Sequence, residues 1–185
     1  MHLLRRAIQV LFTPQILLMV AKVYIPVLFP LTFLIALLAL WLDKVLGFGD
    51  GFLPHPWTWI LAGASFALGC AIWSIAYASI VFEGKGSPSP TAGRTQQLVT
   101  TGIYALCRYP SVWGKLFGVW AVGLALNSFT FCAILVPLLL AGSLVEKVWR
   151  QEPQNEAVFG EAWVRYKQEV PFFFPWRVLL PRRSR

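Results

Sequence analysis

The sequence predicts an all-α, polytopic membrane protein. About four transmembrane helices are expected, the last two forming a hairpin, with an N-terminal interfacial helix and a C-terminal amphipathic helix. Three observations carry this. The 185 residues are 57% hydrophobic and only 13% charged, against about a quarter charged in soluble domains. Apolar runs near the ~20 residues of a spanning helix recur along the chain. The positive residues gather near the ends of those runs and in the C-terminal tail.

Residues 3–22 mix apolar side chains with Arg5, Arg6, Gln9 and Gln15 and are interrupted by Pro14. That suits a helix at the membrane interface. Arg5 and Arg6 before an apolar run resemble the start of a signal peptide. No small-residue cleavage site follows, so the segment is expected to be retained. Residues 23–42 are apolar throughout and form the first span. Pro26 and Pro30 bend its first half, and Asp43 and Lys44 end it. A loop rich in Gly and Pro follows over 45–56. Trp57 and Trp59 then mark an interfacial belt at the start of a second span, which runs to about Phe82. Gly63, Ser65, Gly69 and Ser74 recur within it at roughly helical spacing, as close helix packing requires.

Residues 83–108 form a polar, turn-rich connector. Its Gly84-x-Gly86 does not follow a strand, and Pro88 and Pro90 forbid a helix directly after it, so a phosphate loop is not indicated. The third span runs from about Pro110, at a first-turn position, to Leu126, with Gly114 and Gly118 as a small-xxx-small pair. Lys115, one turn inside it, either snorkels to the surface or serves function. Asn127-Ser128 is a short turn, and a fourth span returns antiparallel over Phe129 to about Val148. From Glu146 to about Glu169 the chain becomes charged and amphipathic, as a helix on the membrane surface would be, with a bend at Gly160. An aromatic segment over 170–176 and a basic tail, Arg177, Arg182, Arg183 and Arg185, close the chain.

Four spans put both termini on one side. That side carries Arg5, Arg6, Lys85, Arg94, Arg108 and the tail, so it is cytoplasmic by the positive-inside rule. The net charge of +8 is explained by contact with anionic lipid. No nucleic-acid-binding motif accompanies it. The three cysteines and two histidines are isolated from one another, which argues against a metal centre or a Cys-His hydrolase.

This topology brings two polar segments to one surface. One offers Tyr104, Arg108 and Tyr109; the other offers Gln151, Glu152 and Glu156. Arg108 suits a carboxylate or phosphate, and Glu152 an ammonium. The residues alone fit two readings: a pocket for a zwitterionic amino-acid moiety beside a stacked base, or a structural salt bridge under a surface helix.

A longer pattern bears on the choice. Leu98-Val99-x-x-Gly102-x-Tyr104-x-x-x-Arg108-x-Pro110 precedes the helical hairpin. Glu152-Pro153, Phe159-Gly160, Tyr166 and Val170-Pro171 follow it at fixed spacing. The ordered set over residues 84–176 resembles the isoprenylcysteine carboxyl methyltransferase family and its phospholipid methyltransferase relatives. Gly84-Lys85-Gly86-Ser87-Pro88-Ser89-Pro90 looks like bacterial members, so a bacterial inner-membrane location is expected. The resemblance implies methyl transfer from S-adenosylmethionine to a lipophilic or lipidated acceptor that enters from the bilayer. It also implies a division into N-terminal membrane helices over 1–83 and a methyltransferase-like half over 84–185, within a single structural domain.

Carried over by this resemblance, the cofactor-binding residues are Leu98, Val99, Gly102, Tyr104, Arg108, Tyr109, Pro110, Ser111, Gln151 and Glu152. Arg108 and Glu152 take the catalytic role, and no metal is implied. Such a transfer is an in-line displacement that needs positioning and desolvation more than acid or base groups. Three positions depart from the family pattern. Tyr109 stands where His or Asn is usual, Gln151-Glu152 replaces a Glu pair, and Phe172 replaces Arg. Two alternatives follow: an NADPH-dependent membrane reductase of the sterol-reductase type, for which the connector offers mainly Arg94 and Arg108 as phosphate partners, or a non-catalytic membrane scaffold.

Overall fold

A computed structural model describes residues 29–85 and 95–174. The expected interfacial helix over 3–22, Pro26, Arg94 and the basic tail lie outside the described residues. Every regular element among the described residues is helical: α1 (Phe29–Leu46), α2 (Trp57–Phe82), a 3-10 turn (Gly102–Ala105), α3 (Pro110–Ala125), α4 (Phe131–Phe159) and α5 (Glu161–Glu169).

Helices α2 and α3 pack over their lengths because two glycines let their backbones meet. A Cβ on Gly69 would lie 2.8 Å from the Gly114 carbonyl oxygen, and one on Gly114 would lie 2.8 Å from Trp73 Cβ. Ser65 adds a hydrogen bond from its hydroxyl to the Phe117 carbonyl at 2.8 Å. Of the small residues expected to pack, Gly63 and Gly118 have open space where a side chain would be. The backbone nitrogen of Gly118 nevertheless lies close to Gly69.

Helix α1 differs from expectation at its end. Asp43 does not terminate it, because the helix continues to Leu46. Asp43 is buried at 3% exposure. Its carboxylate accepts from the Ser128 hydroxyl at 2.5 Å, the Thr130 N–H at 2.8 Å and the Thr130 hydroxyl at 2.6 Å. The Ser128 hydroxyl in turn accepts from the Phe131 N–H. Asp43 thus supplies, from a different helix, the acceptor that the free amides at the start of α4 need. Asn127 holds the neighbouring loop: its side-chain oxygen accepts from the Phe52 and Leu53 amides, and its amide donates to the Leu53 carbonyl. The loop at 45–56 and the turn at 127–128 therefore meet at one end of the bundle.

Helix α4 is also longer than expected. It continues past Val148 to Phe159, so the apolar fourth segment and the first part of the amphipathic one are a single helix. Two π turns interrupt it, Phe131–Leu135 and Lys147–Gln151. In each, the next amide reaches back to the first residue of the turn: Val136 to Phe131, and Glu152 to Lys147. Each turn is followed by a proline at the second residue, Pro137 and Pro153. A proline inside a helix clashes with the carbonyl of residue i−4, which for both lies within the widened turn. The π turns accommodate the prolines without breaking the helix.

Helices α2 and α4 are long and apolar enough to cross a membrane, and most residues of their apolar stretches are not buried. Large apolar side chains such as Leu34, Phe66 and Leu138 face outward. Such surfaces fit lipid and not water. The described part of α1 has 18 residues, and α3 has 16, about 24 Å at ~1.5 Å per residue, which is short of a full hydrocarbon core. Lys115 lies on the exposed side of α3.

Substituting Gly114 by Val should separate α2 from α3 and lower stability by about 1–3 kcal/mol, the usual range for overpacking. Thermal unfolding in detergent measures this, and Gly118→Ala, whose added methyl meets open space, should change it far less.

Candidate active site at the end of the bundle

At the other end of the bundle the connector and the end of α4 come together. The 3-10 turn begins at Gly102, whose φ of +58° suits glycine. The turn carries Tyr104 into the interior, where its hydroxyl donates to the Ala76 carbonyl on α2 at 3.3 Å. Its carbonyl accepts the Tyr166 hydroxyl from α5 at 2.7 Å. Val99 packs beside Tyr104 and Ala76, and Leu98 packs against the cluster of Tyr109, Val112, Trp163, Tyr166 and Val170. Tyr109 precedes Pro110, which opens α3 at a first-turn position.

The central contact is between Arg108 and Glu152. The Arg108 guanidinium donates to Glu152 Oε1 at 2.5 Å, with the two side chains only 12% and 11% exposed. Tyr109 donates its hydroxyl to the same oxygen at 3.2 Å. Lys167 from α5 reaches the other oxygen, Oε2, at 3.3 Å, and also Glu156 Oε2 at 3.2 Å. Burial, and then the adjacent Glu152 carboxylate, push the Tyr109 pKa above the usual phenol range, so its hydroxyl stays a donor. The hydrogen bond to Glu156, foremost, raises the Lys167 pKa.

The second π turn makes this arrangement possible. Lys147 and Glu152 are five residues apart, which a regular helix would rotate by about 140° from one another. Here both are buried, at 6% and 9% exposure. Lys147 pairs with Glu146 at 2.8 Å and lies over the Tyr109 ring at 5.9 Å. Gly160 (φ +53°, ψ −130°) then turns the chain sharply between α4 and α5, and so returns Lys167 to Glu152. The segment after α5 closes over the top. The Arg108 amide donates to the Pro171 carbonyl at 3.0 Å, and the guanidinium lies 5.2 Å from the centre of the Phe172 ring. Trp113 anchors this segment by donating to the Phe173 carbonyl at 3.0 Å and stacking on its ring.

The result is an open cleft of about 670 Å³. Arg108, Glu152, Glu156, Lys167 and Phe172 line it, with Val148, Pro153 and Ala157 as apolar neighbours. Among the residues singled out from sequence, Arg108 and Glu152 face this cleft. Leu98, Val99, Gly102, Tyr104, Pro110 and Ser111 do not line it; Leu98, Val99 and Tyr104 pack in the neighbouring apolar clusters. Tyr109 is 5% exposed and meets Phe172 edge to face, so it acts on the cleft through Glu152. Gln151 ends the π turn, half-buried and off the cleft. Lys167 is the residue that sequence reasoning missed. The Gly160 turn is the signal that could have found it, since that turn folds α5 back.

The donors and acceptors fit a ligand with a carboxylate and an ammonium. The Arg108 Nε is buried and has no hydrogen-bond partner among the described residues, which costs free energy. Glu152 and Glu156 provide acceptors for an ammonium, and Phe172 provides an aromatic face.

Two measurements follow. Glu152→Ala leaves Arg108 buried without its carboxylate and should lower stability by about 3–5 kcal/mol, against about 1 kcal/mol for Tyr109→Phe; unfolding in detergent gives both values. Burial pushes the Cys107 thiol up to about 11. Its stabilising contribution is therefore complete below the ordinary thiol pKa of 9.0 and is lost as pH rises through about 11. Stability should fall over that window, and the fall should be shallower in Cys107→Ala.

Similarity to known proteins identifies the family. The family model described as phospholipid methyltransferase matches residues 57–160, more than half of the chain. The match begins at α2, earlier than the residue pattern alone indicated. A protein-S-isoprenylcysteine O-methyltransferase from Schizosaccharomyces pombe is 33% identical over 79 residues, which is 42% of this chain and 33% of that protein. One of the same name from Mus musculus is 30% identical over 83 residues, 44% of this chain and 29% of that protein. The matched stretch thus spans about a third of these relatives' length. No solved structure gives a significant match. Neither the reductase nor the scaffold alternative is favoured by these similarities. The chain belongs to the phospholipid methyltransferase family.

Proposed function

We propose that this chain is an integral membrane methyltransferase that uses S-adenosylmethionine and acts on a lipophilic acceptor, such as a prenylcysteine-like carboxylate or a lipid head group. The observation that carries this reading is the Arg108–Glu152 pair lining the cleft beside Glu156. S-adenosylmethionine, when bound, supplies a methyl group activated on a sulfonium. Arg108 holds the carboxylate of its methionine moiety, Glu152 and Glu156 accept its ammonium, and Phe172 offers a face for its base. Tyr109 positions Glu152. The strap over 170–174 and the wall formed by the connector exclude water on one side, which strengthens these electrostatic contacts. A carboxylate acceptor needs no base, so positioning is the main work left to the protein.

The acceptor enters from the bilayer side of α4, where Val148 borders the cleft and Trp149, 81% exposed, suits the level of the lipid head groups. Trp57 and Trp59 at the start of α2 form the opposite belt. This reading keeps a multi-pass topology with the cleft and both termini cytoplasmic, in a bacterial inner membrane. In it residues 1–83 serve mainly as the membrane anchor and residues 84–185 carry the pocket. It also takes the isoprenylcysteine methyltransferase relatives as the guide to acceptor class.

Equilibrium binding to purified protein in detergent tests the reading. S-adenosylmethionine and S-adenosylhomocysteine should both bind, and Glu152→Gln should weaken each by at least about 10-fold, equivalent to 1.4 kcal/mol. Absence of binding by either ligand would overturn the reading, and tight binding of NADPH in their place would favour the reductase.

A further inference from the structure

Glu152 and Glu156 are the carboxylates that line the cleft among the described residues, one helical turn apart on α4. A ligand ammonium has to reach one or both of them. A primary ammonium already lies there: Lys167 Nζ is 3.3 Å from Glu152 Oε2 and 3.2 Å from Glu156 Oε2. Lys167 comes from α5, and its side chain is 34% exposed. The side chain can therefore leave for water without opening the core, unlike Arg108 or Tyr109.

We propose that Lys167 is a tethered occupant of the ammonium site, displaced when a zwitterionic ligand binds. The proposal rests on the cofactor reading above and specifies how the site discriminates ligands. A lysine ammonium and an amino-acid ammonium are the same chemical group, with the same three donors. They compete for the same two oxygens.

Charge gives the proposal a second consequence. The groups at the cleft are two cations, Arg108 and Lys167, and two carboxylates, Glu152 and Glu156. The site is neutral as it stands. Without Lys167 it carries one net negative charge. S-adenosylmethionine bears one more positive charge, on its sulfonium, than the thioether S-adenosylhomocysteine. Once Lys167 is displaced, the site carries that negative charge in wild type and variant alike, so removal of Lys167 should favour both ligands by the same factor.

Equilibrium binding of both ligands to the full-length wild-type protein and to Lys167→Met tests this. The variant should bind S-adenosylmethionine and S-adenosylhomocysteine each about 2- to 5-fold tighter, since an exposed ion pair contributes little. Weaker binding of both would mean that Lys167 holds the ligand's carboxylate and would overturn the proposal, as would unchanged affinities. A measurement on the wild type needs no variant. Amine acylation at Lys167, located by mass spectrometry, should quicken when S-adenosylhomocysteine saturates the site. A slower or unchanged rate would also overturn the proposal. If neither ligand binds wild type or variant, the cofactor reading itself fails and this proposal with it. Binding with the opposite sign removes this proposal alone.

Discussion

The Glu152 carboxylate is the point on which this structure turns. It is almost wholly withdrawn from solvent, and an isolated carboxylate in that position would be costly. Three side chains from two segments meet the cost. Arg108 and Tyr109 come from the end of the connector, just before α3, and Lys167 from α5. Neither of these segments neighbours Glu152 in sequence. One buried acceptor therefore fixes the relative positions of the connector, α4 and α5, and the cleft is the space those three leave between them.

Other features of the chain serve that convergence. The glycine contact between α2 and α3 sets where the connector begins and ends, because it fixes the helices on either side of it. The π turn over Lys147–Gln151 accommodates Pro153 and turns Glu152 inward. The Gly160 turn brings α5 back under the connector, where Tyr166 bonds the Tyr104 carbonyl. At the far end of the bundle, Asp43 plays a comparable part on a smaller scale. It is a buried acid that joins α1 to the start of α4 through Ser128 and Thr130. Both ends of α4 are thus held by a buried carboxylate, one received from α1 and one given by α4 itself.

Much of this was legible in the sequence. The bounds of α2 could be read from its apolar run and its Trp start, and those of α3 from Pro110 and the Asn127-Ser128 turn. Topology and charge suggest that Arg108 and Glu152 share one face, and a salt bridge between them is one of two readings the residues leave open. What could not be read depends on contacts between distant segments. Asp43 looked like a helix terminator because a charge after an apolar run normally faces water. Its partners, Ser128 and Thr130, lie more than eighty residues away. The two π turns have a local cause in Pro137 and Pro153, yet prolines in an apolar run also suit a kink or a break. Tyr109 was expected to bind the cofactor, but its ring is packed in the interior and its hydroxyl meets Glu152. Lys167 carried no signal of its own, since an amphipathic helix has several exposed lysines and arginines.

The central claim is that the connector and the α4–α5 turn form the walls of one cofactor cleft. Photo-crosslinking with radiolabelled S-adenosylmethionine, followed by peptide mapping, tests it most directly. The account predicts adducts confined to peptides covering 98–113 and 148–174, and their loss when excess S-adenosylhomocysteine is present. Adducts on the 43–56 loop or on the Asn127 turn, at the opposite end of the bundle, would contradict it.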